Sequence, residues 1–71
     1  MQPVAISKDL TRGQKVRVER IRRGWTQGDL ARKAGLLTRT VTLVELDKSD
    51  LRDKTIGKLS IALDLDVEEL I

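Results

Sequence analysis

Residues 27–46 read QGDLARKAGLLTRTVTLVEL. Thr26 followed by Asp29 has the spacing of a capping box and opens a short helix whose apolar positions are Leu30, Ala31 and Ala34. Gly35 then ends it, because a tight turn between steeply crossed helices requires a positive φ that costs other residues roughly 1 kcal/mol or more. Leu36 and Leu37 form the turn. A third helix follows from Thr38 to Leu46, with Val41 and Val44 facing inward at a spacing of three. Ala31 must be small if the third helix passes close over the second. A hairpin in a helical bundle would show longer helices and an apolar seam sustained over several heptads. Neither is present, so the pattern predicts a helix-turn-helix.

Outward from this core, the first helix begins near Ser7 or Thr11, where Thr11 and Gln14 have capping-box spacing, and ends at Gly24. Val16 and Ile21 mark its buried side. On the other flank, Asp47 to Asp53 is polar and looped. Ile56, Leu59 and Leu63 recur at i, i+3 and i+7 with Ala62 alongside, giving a fourth helix, and Asp66 with Glu69 caps a last one bearing Val67, Leu70 and Ile71. Pro3 and the β-branched Val4 and Ile6 favour an extended arm. The expectation is an all-α domain of five short helices over residues 8–71, preceded by an N-terminal arm over 1–7.

Composition sharpens this. The chain has 71 residues, 39% hydrophobic and 35% charged, and a single aromatic, Trp25, which argues against a sandwich or barrel. A domain this short hides roughly 60% of the surface its unfolded chain exposes, leaving little room for a deep cleft. With neither Cys nor His, disulfides and zinc are excluded, so well-packed helices or a partner subunit must supply stability. No leader is evident and no apolar run approaches the roughly 18 residues that span a bilayer, so a cytoplasmic location is expected. The net charge of +3 conceals polarity: residues 1–39 carry +7 and the remainder −4. Such a distribution suits a polyanion on one side.

Three ordered stretches carry a resemblance. RIRRGWTQGDLARKAG (Arg20 to Gly35), VTLVE (Val41 to Glu45) and IALDLDVEEL (Ile61 to Leu70) resemble the Cro/C1-type, Xre-like helix-turn-helix domains of phage repressors and bacterial regulators. The likeness covers about Val16 to Leu70 and implies a lambda-repressor-like fold that binds double-stranded DNA. It implies that Gln27 hydrogen-bonds a phosphate beside the amides opening the second helix, where free N–H groups and the helix dipole favour an anion. It pairs Arg20 with Glu45, with phosphate as a further partner for Arg20. The residues opening the third helix, Thr38, Arg39, Thr42 and Leu43, become the base readers. Arg39 leads them, because its planar fork can satisfy guanine O6 and N7 together, whereas Thr42 and Leu43 suit a thymine methyl. Thr40 reaches phosphate or base, and Lys48, Arg52 and Lys54 sit where the family's loop approaches the DNA backbone.

The sequence also departs from the family. Leu37 stands where a Ser or Thr cap is usual, so either Thr38 caps one residue later or the helix begins differently, and the register of the readers is open by one. Leu46 and Asp47 replace a polar residue and Gly, and Asp64 replaces another Gly. Leu36, Leu37, Leu43 and Leu46 make the recognition unit unusually apolar. Gly28 and Gly57 lie inside helices at about 1 kcal/mol each relative to Ala. A homodimer is expected, two copies one DNA turn apart on a palindrome, with Ile61, Leu65, Val67 and Ile71 as its candidate interface.

Three functional classes follow. A transcriptional regulator, repressing by occupancy, comes first. A protein-interaction module, antitoxin-like or adaptor, using the leucine-rich third-helix face or the arm, is the second. An enzyme is the least expected: the chain lacks Cys, His and Tyr, a phosphate-cradling glycine loop and a metal-ligand cluster, and the adjacent Glu68 and Glu69 point in different directions. No cofactor is expected.

Overall fold

Thr11 opens the first helix as the spacing predicts: its hydroxyl oxygen accepts from the Gln14 N–H at 3.1 Å, and the Gln14 side-chain oxygen accepts from the Thr11 N–H at 2.9 Å. Such a cap contributes about 1 kcal/mol. The computed structural model describes residues 10–49 and 52–71, apart from the side chain of Asp53, so the arm expected over 1–7 lies outside the described residues. The chain order is α1 (Arg12–Arg22), α2 (Gln27–Ala34), α3 (Thr38–Glu45), α4 (Asp53–Leu63) and a final turn of 3₁₀ helix (Val67–Leu70). Among the described residues, four α-helices and one 3₁₀ turn stand where five helices were expected. Only four residues form that last element, too few to close an α-helical ladder, and Glu69 N–H bonds back three residues to the Asp66 carbonyl.

The core gathers one apolar stripe from each element: Val16 of α1, Leu30, Ala31 and Ala34 of α2, Val41 and Val44 of α3, Ile56, Leu59 and Leu63 of α4, and Leu70 of the last turn. Each fully buried leucine contributes roughly 1.5–3 kcal/mol relative to its exposed state. Gly35 ends α2 at φ +70, which lets the Leu36 N–H reach the Ala31 carbonyl at 2.8 Å and turns the chain into α3. Ile21 corrects the expectation for α1: its side chain is 52% exposed. Gly13, Val16 and Arg20 line the inner face at spacings of three and four, and Ile21 lies five residues beyond Val16, about 140° round the helix.

Two of the contacts that bind α1 to α3 were not anticipated. Gly13 approaches so closely that a Cβ there would stand 2.1 Å from the Val44 carbonyl oxygen. Asp47, just past α3 in the left-handed region at φ +58, turns its carboxylate onto the start of α1. One oxygen accepts from the Gly13 N–H at 3.0 Å and the other from the Thr11 hydroxyl at 2.6 Å. The first turn of α1 has no acidic residue of its own, so Asp47 supplies the negative charge its dipole favours. The departure from Gly at this position thus exchanges backbone freedom for a cross-helix lock.

At the opposite end of α1, Arg23 donates to the Leu63 carbonyl at 2.6 Å, placing a cation at the C-terminus of α4. Asp64 ends α4 in the left-handed region, φ 54 and ψ 47, so it takes up the conformation of the glycine it replaces.

Candidate nucleic-acid interface

Burial divides α3 into two faces. Val41, Val44 and Glu45 are buried, Thr38 and Arg39 are exposed, and Thr42 and Leu43 are half-buried. The four expected base readers therefore share the side turned away from the core. Arg39 makes no hydrogen bond or ion pair to a described residue, and its fork is available. Leu37 is the N-cap, in extended conformation and 73% exposed, with no side-chain bond to the helix; its carbonyl accepts from the Thr40 and Val41 amides. α3 begins at Thr38, and Thr38 is its first residue, not its cap.

Behind this face runs a continuous polar chain. Arg20 grips Glu45 with two parallel bonds, Nε to Oε2 at 2.6 Å and Nη2 to Oε1 at 2.9 Å, and its Nη1 donates to the Trp25 carbonyl at 2.7 Å. The two side chains are only 11% and 2% exposed. The bond to Glu45 holds the Arg20 guanidinium charge more firmly than usual, against the opposing effect of burial. Glu45 Oε1 also accepts from Gln27 Nε2 at 3.1 Å, and Gln27 Oε1 accepts from the Thr42 hydroxyl at 2.7 Å. Every buried side-chain polar atom among the described residues has a partner. The family resemblance pointed to the Arg20–Glu45 pair, but it missed the inward engagement of Gln27 and Thr42. Those bonds depend on rotamers across the α2–α3 crossing, which no linear spacing encodes.

Gln27 stands at the first position of α2, whose cap is well formed: the Asp29 N–H donates to the Thr26 hydroxyl oxygen at 3.0 Å and the Thr26 N–H to the Asp29 carboxylate at 2.8 Å. The bonds from Thr26 hold the Asp29 carboxyl below its ordinary value of 3.8, with Arg32 adding to the effect. Trp25, half-buried against the core, is approached by two cations, Lys33 Nζ at 4.8 Å and Arg23 Cζ at 5.7 Å from the ring centroid. Thr40 is half-buried, and Lys48, Arg52 and Lys54 are exposed beyond α3. Toward the end of the chain Ile61 is 84% exposed and Ile71 75%, Val67 is also exposed, and Leu65 packs partly against the core. Among the described residues no group of three or more acidic side chains is placed to hold a metal ion, and no helix is long and apolar enough to cross a membrane.

An exposed short helix carried on a tight turn, with the N-terminus of the preceding helix beside it, defines a helix-turn-helix DNA-binding domain. The family description for the helix-turn-helix matches residues 16–70. This chain belongs to that family, in its Cro/C1 type, a class of DNA-binding transcriptional regulators. Among solved structures it is similar to the restriction-modification controller protein C.AhdI from Aeromonas hydrophila, at 35% identity over 84% of this chain and 91% of that one, with a TM-score of 0.78. It is also similar to the hypothetical transcription factor NHTF from Neisseria, at 27% identity over 99% of this chain and 79% of that one, with a TM-score of 0.79. Among curated proteins none matches.

Proposed function

We propose that this protein is a sequence-specific repressor that binds a short palindrome as a homodimer, with α3 of each copy in the major groove. The carrying observation is the outward face of α3, where Arg39 is exposed and unpaired among the described residues while Val41, Val44 and Glu45 hold the helix to the core. Thr38, Arg39, Thr42 and Leu43 read bases. Arg39 is assigned guanine, a pairing worth roughly 1–3 kcal/mol in discrimination.

Phosphates are held at the start of α2 and along the segment after α3. Gln27 commits one amide hydrogen to Glu45, and its second is left for a phosphate oxygen. Arg20 likewise has two of its five donors beyond the three in use. Thr40, Lys48, Arg52 and Lys54 complete the backbone contacts. The second copy docks through Ile61, Leu65, Val67 and Ile71, where large apolar side chains lie exposed. Repression follows from occupancy, in the cytoplasm where a bacterial or phage regulator meets its DNA; no catalysis or cofactor is involved.

Selection of bound duplexes from a random pool tests the proposal: an inverted repeat should be enriched, and log affinity should fall linearly with log salt. Arg39→Ala should flatten the ranking of half-sites, whereas Lys54→Ala should weaken all sites alike and reduce the salt slope by about 1. An unchanged ranking in Arg39→Ala refutes its role. Failure to bind any duplex at low salt refutes the function and favours a protein partner.

A further inference from the structure

We infer that α3 reads pyrimidine C5-methyl groups through Thr42, and that Gln27 is the residue that aims it. This rests on the DNA-binding reading above and specifies what is read. A threonine at a base-reading position can act in two ways, by its hydroxyl or by its γ-methyl. Here the hydroxyl's hydrogen is taken and its oxygen is drawn toward α2: Oγ1 lies 2.7 Å from Gln27 Oε1 and 3.2 Å from the Thr38 carbonyl oxygen, both acceptors. A hydroxyl has one hydrogen, so Thr42 cannot also donate to guanine N7 or O6 or to thymine O4.

Gln27 is itself fixed. Its Nε2 donates to Glu45, which is gripped by Arg20, so the orientation of the Gln27 amide is set by a buried ion pair. With the oxygen drawn back toward α2, the methyl branch of Cβ is the group left for the groove. Its surroundings match: Leu43 is half-buried beside it, and Leu46 and Leu37 are exposed at the two ends of α3. The only base differences an apolar surface detects in the major groove are the thymine methyl and its like on 5-methylcytosine. Arg39 then carries the guanine contact while Thr42 and its neighbours discriminate by methyl groups.

The test is a uracil scan of a duplex selected as above, replacing thymines one at a time, which removes the methyl and leaves every hydrogen-bonding edge intact. Wild type should lose about fourfold in affinity at one or more positions in each half-site. Thr42→Ser, which keeps the hydroxyl, should lose that sensitivity at the position it serves, and Thr42→Val, which keeps a methyl, should retain it. Gln27→Met removes the 2.7 Å acceptor and leaves only the longer bond to the Thr38 carbonyl, so the hydroxyl is held less firmly and the same uracil penalty should shrink. Adding Thr42→Val to Gln27→Met should restore it, because valine presents a methyl in either orientation; a merely structural role for Gln27 would not be rescued in this way. If uracil is silent everywhere on a duplex that is still bound selectively, or if Thr42→Val loses discrimination while Thr42→Ser keeps it, the inference is overturned and the regulator stands. If no duplex is bound selectively, both fall.

Discussion

Replacing glycine by alanine inside a helix is the same chemical change at Gly13 and at Gly57, and the structure assigns the two opposite signs. At Gly57, within α4, an added Cβ meets nothing within 4 Å. The variant keeps the helix-propensity gain of roughly 0.5–1 kcal/mol. For a domain of this size that raises Tm by about 2–8 °C. At Gly13 the added carbon stands 2.1 Å from the Val44 carbonyl oxygen and 2.7 Å from Asp47 Oδ1. The first obstacle is backbone and cannot swing aside, so α1 must lift from α3. Overpacking of this kind costs about 1–3 kcal/mol. The shift also loosens the Gly13 N–H bond to the Asp47 carboxylate, a charge-assisted bond worth roughly 1.5–3 kcal/mol. Set against a propensity gain of at most about 1 kcal/mol, the net is a loss of about 1.5 kcal/mol or more, and Tm falls by at least about 6 °C. Thermal melts followed by far-UV circular dichroism, paired with urea unfolding, measure both variants. A Gly13→Ala protein melting at or above wild type would refute the close approach of α1 to α3.

Glu45→Ala leaves Arg20 buried without its partner and should cost about 3–5 kcal/mol, a large share of the roughly 4–10 kcal/mol such a domain possesses. In urea titrations the Arg20→Met, Glu45→Leu double variant should be more stable than Glu45→Ala; equal stability would mean that the pair is not desolvated. Asp64→Gly removes a left-handed non-glycine residue at the end of α4 and should stabilise by about 1 kcal/mol in the same titrations. Because the folded Asp29 carboxyl ionises below its ordinary value of 3.8, its contribution is complete above that value and is lost as pH falls through the lowered one. The stability difference between wild type and Asp29→Asn should accordingly be largest at neutral pH and shrink in acid; a difference independent of pH would exclude the ionised cap.

What the linear order of residues determined is whatever depends on neighbours in sequence. Thr11 with Gln14, and Thr26 with Asp29, form their caps within a single turn, and Gly35 ends α2 because its own backbone tolerates positive φ. Helical periodicity likewise marks Val41 and Val44 as the inner face of α3, whereas Thr38, Arg39, Thr42 and Leu43 were singled out by the family resemblance. Only the tertiary structure decided the rest, for those features are set by how helices far apart in sequence approach one another. Ile21 has an apolar side chain but no helix among the described residues covers it, and Gly13 matters through a carbonyl of α3 rather than through its own conformation. The Asp47 carboxylate finds its partners 34 and 36 residues away, and the hydroxyl of Thr42 is turned from solvent by Gln27 across the helix crossing. Hydrogen bonds of this kind are directional and short-ranged, so which donor meets which acceptor is known only once the helices are packed.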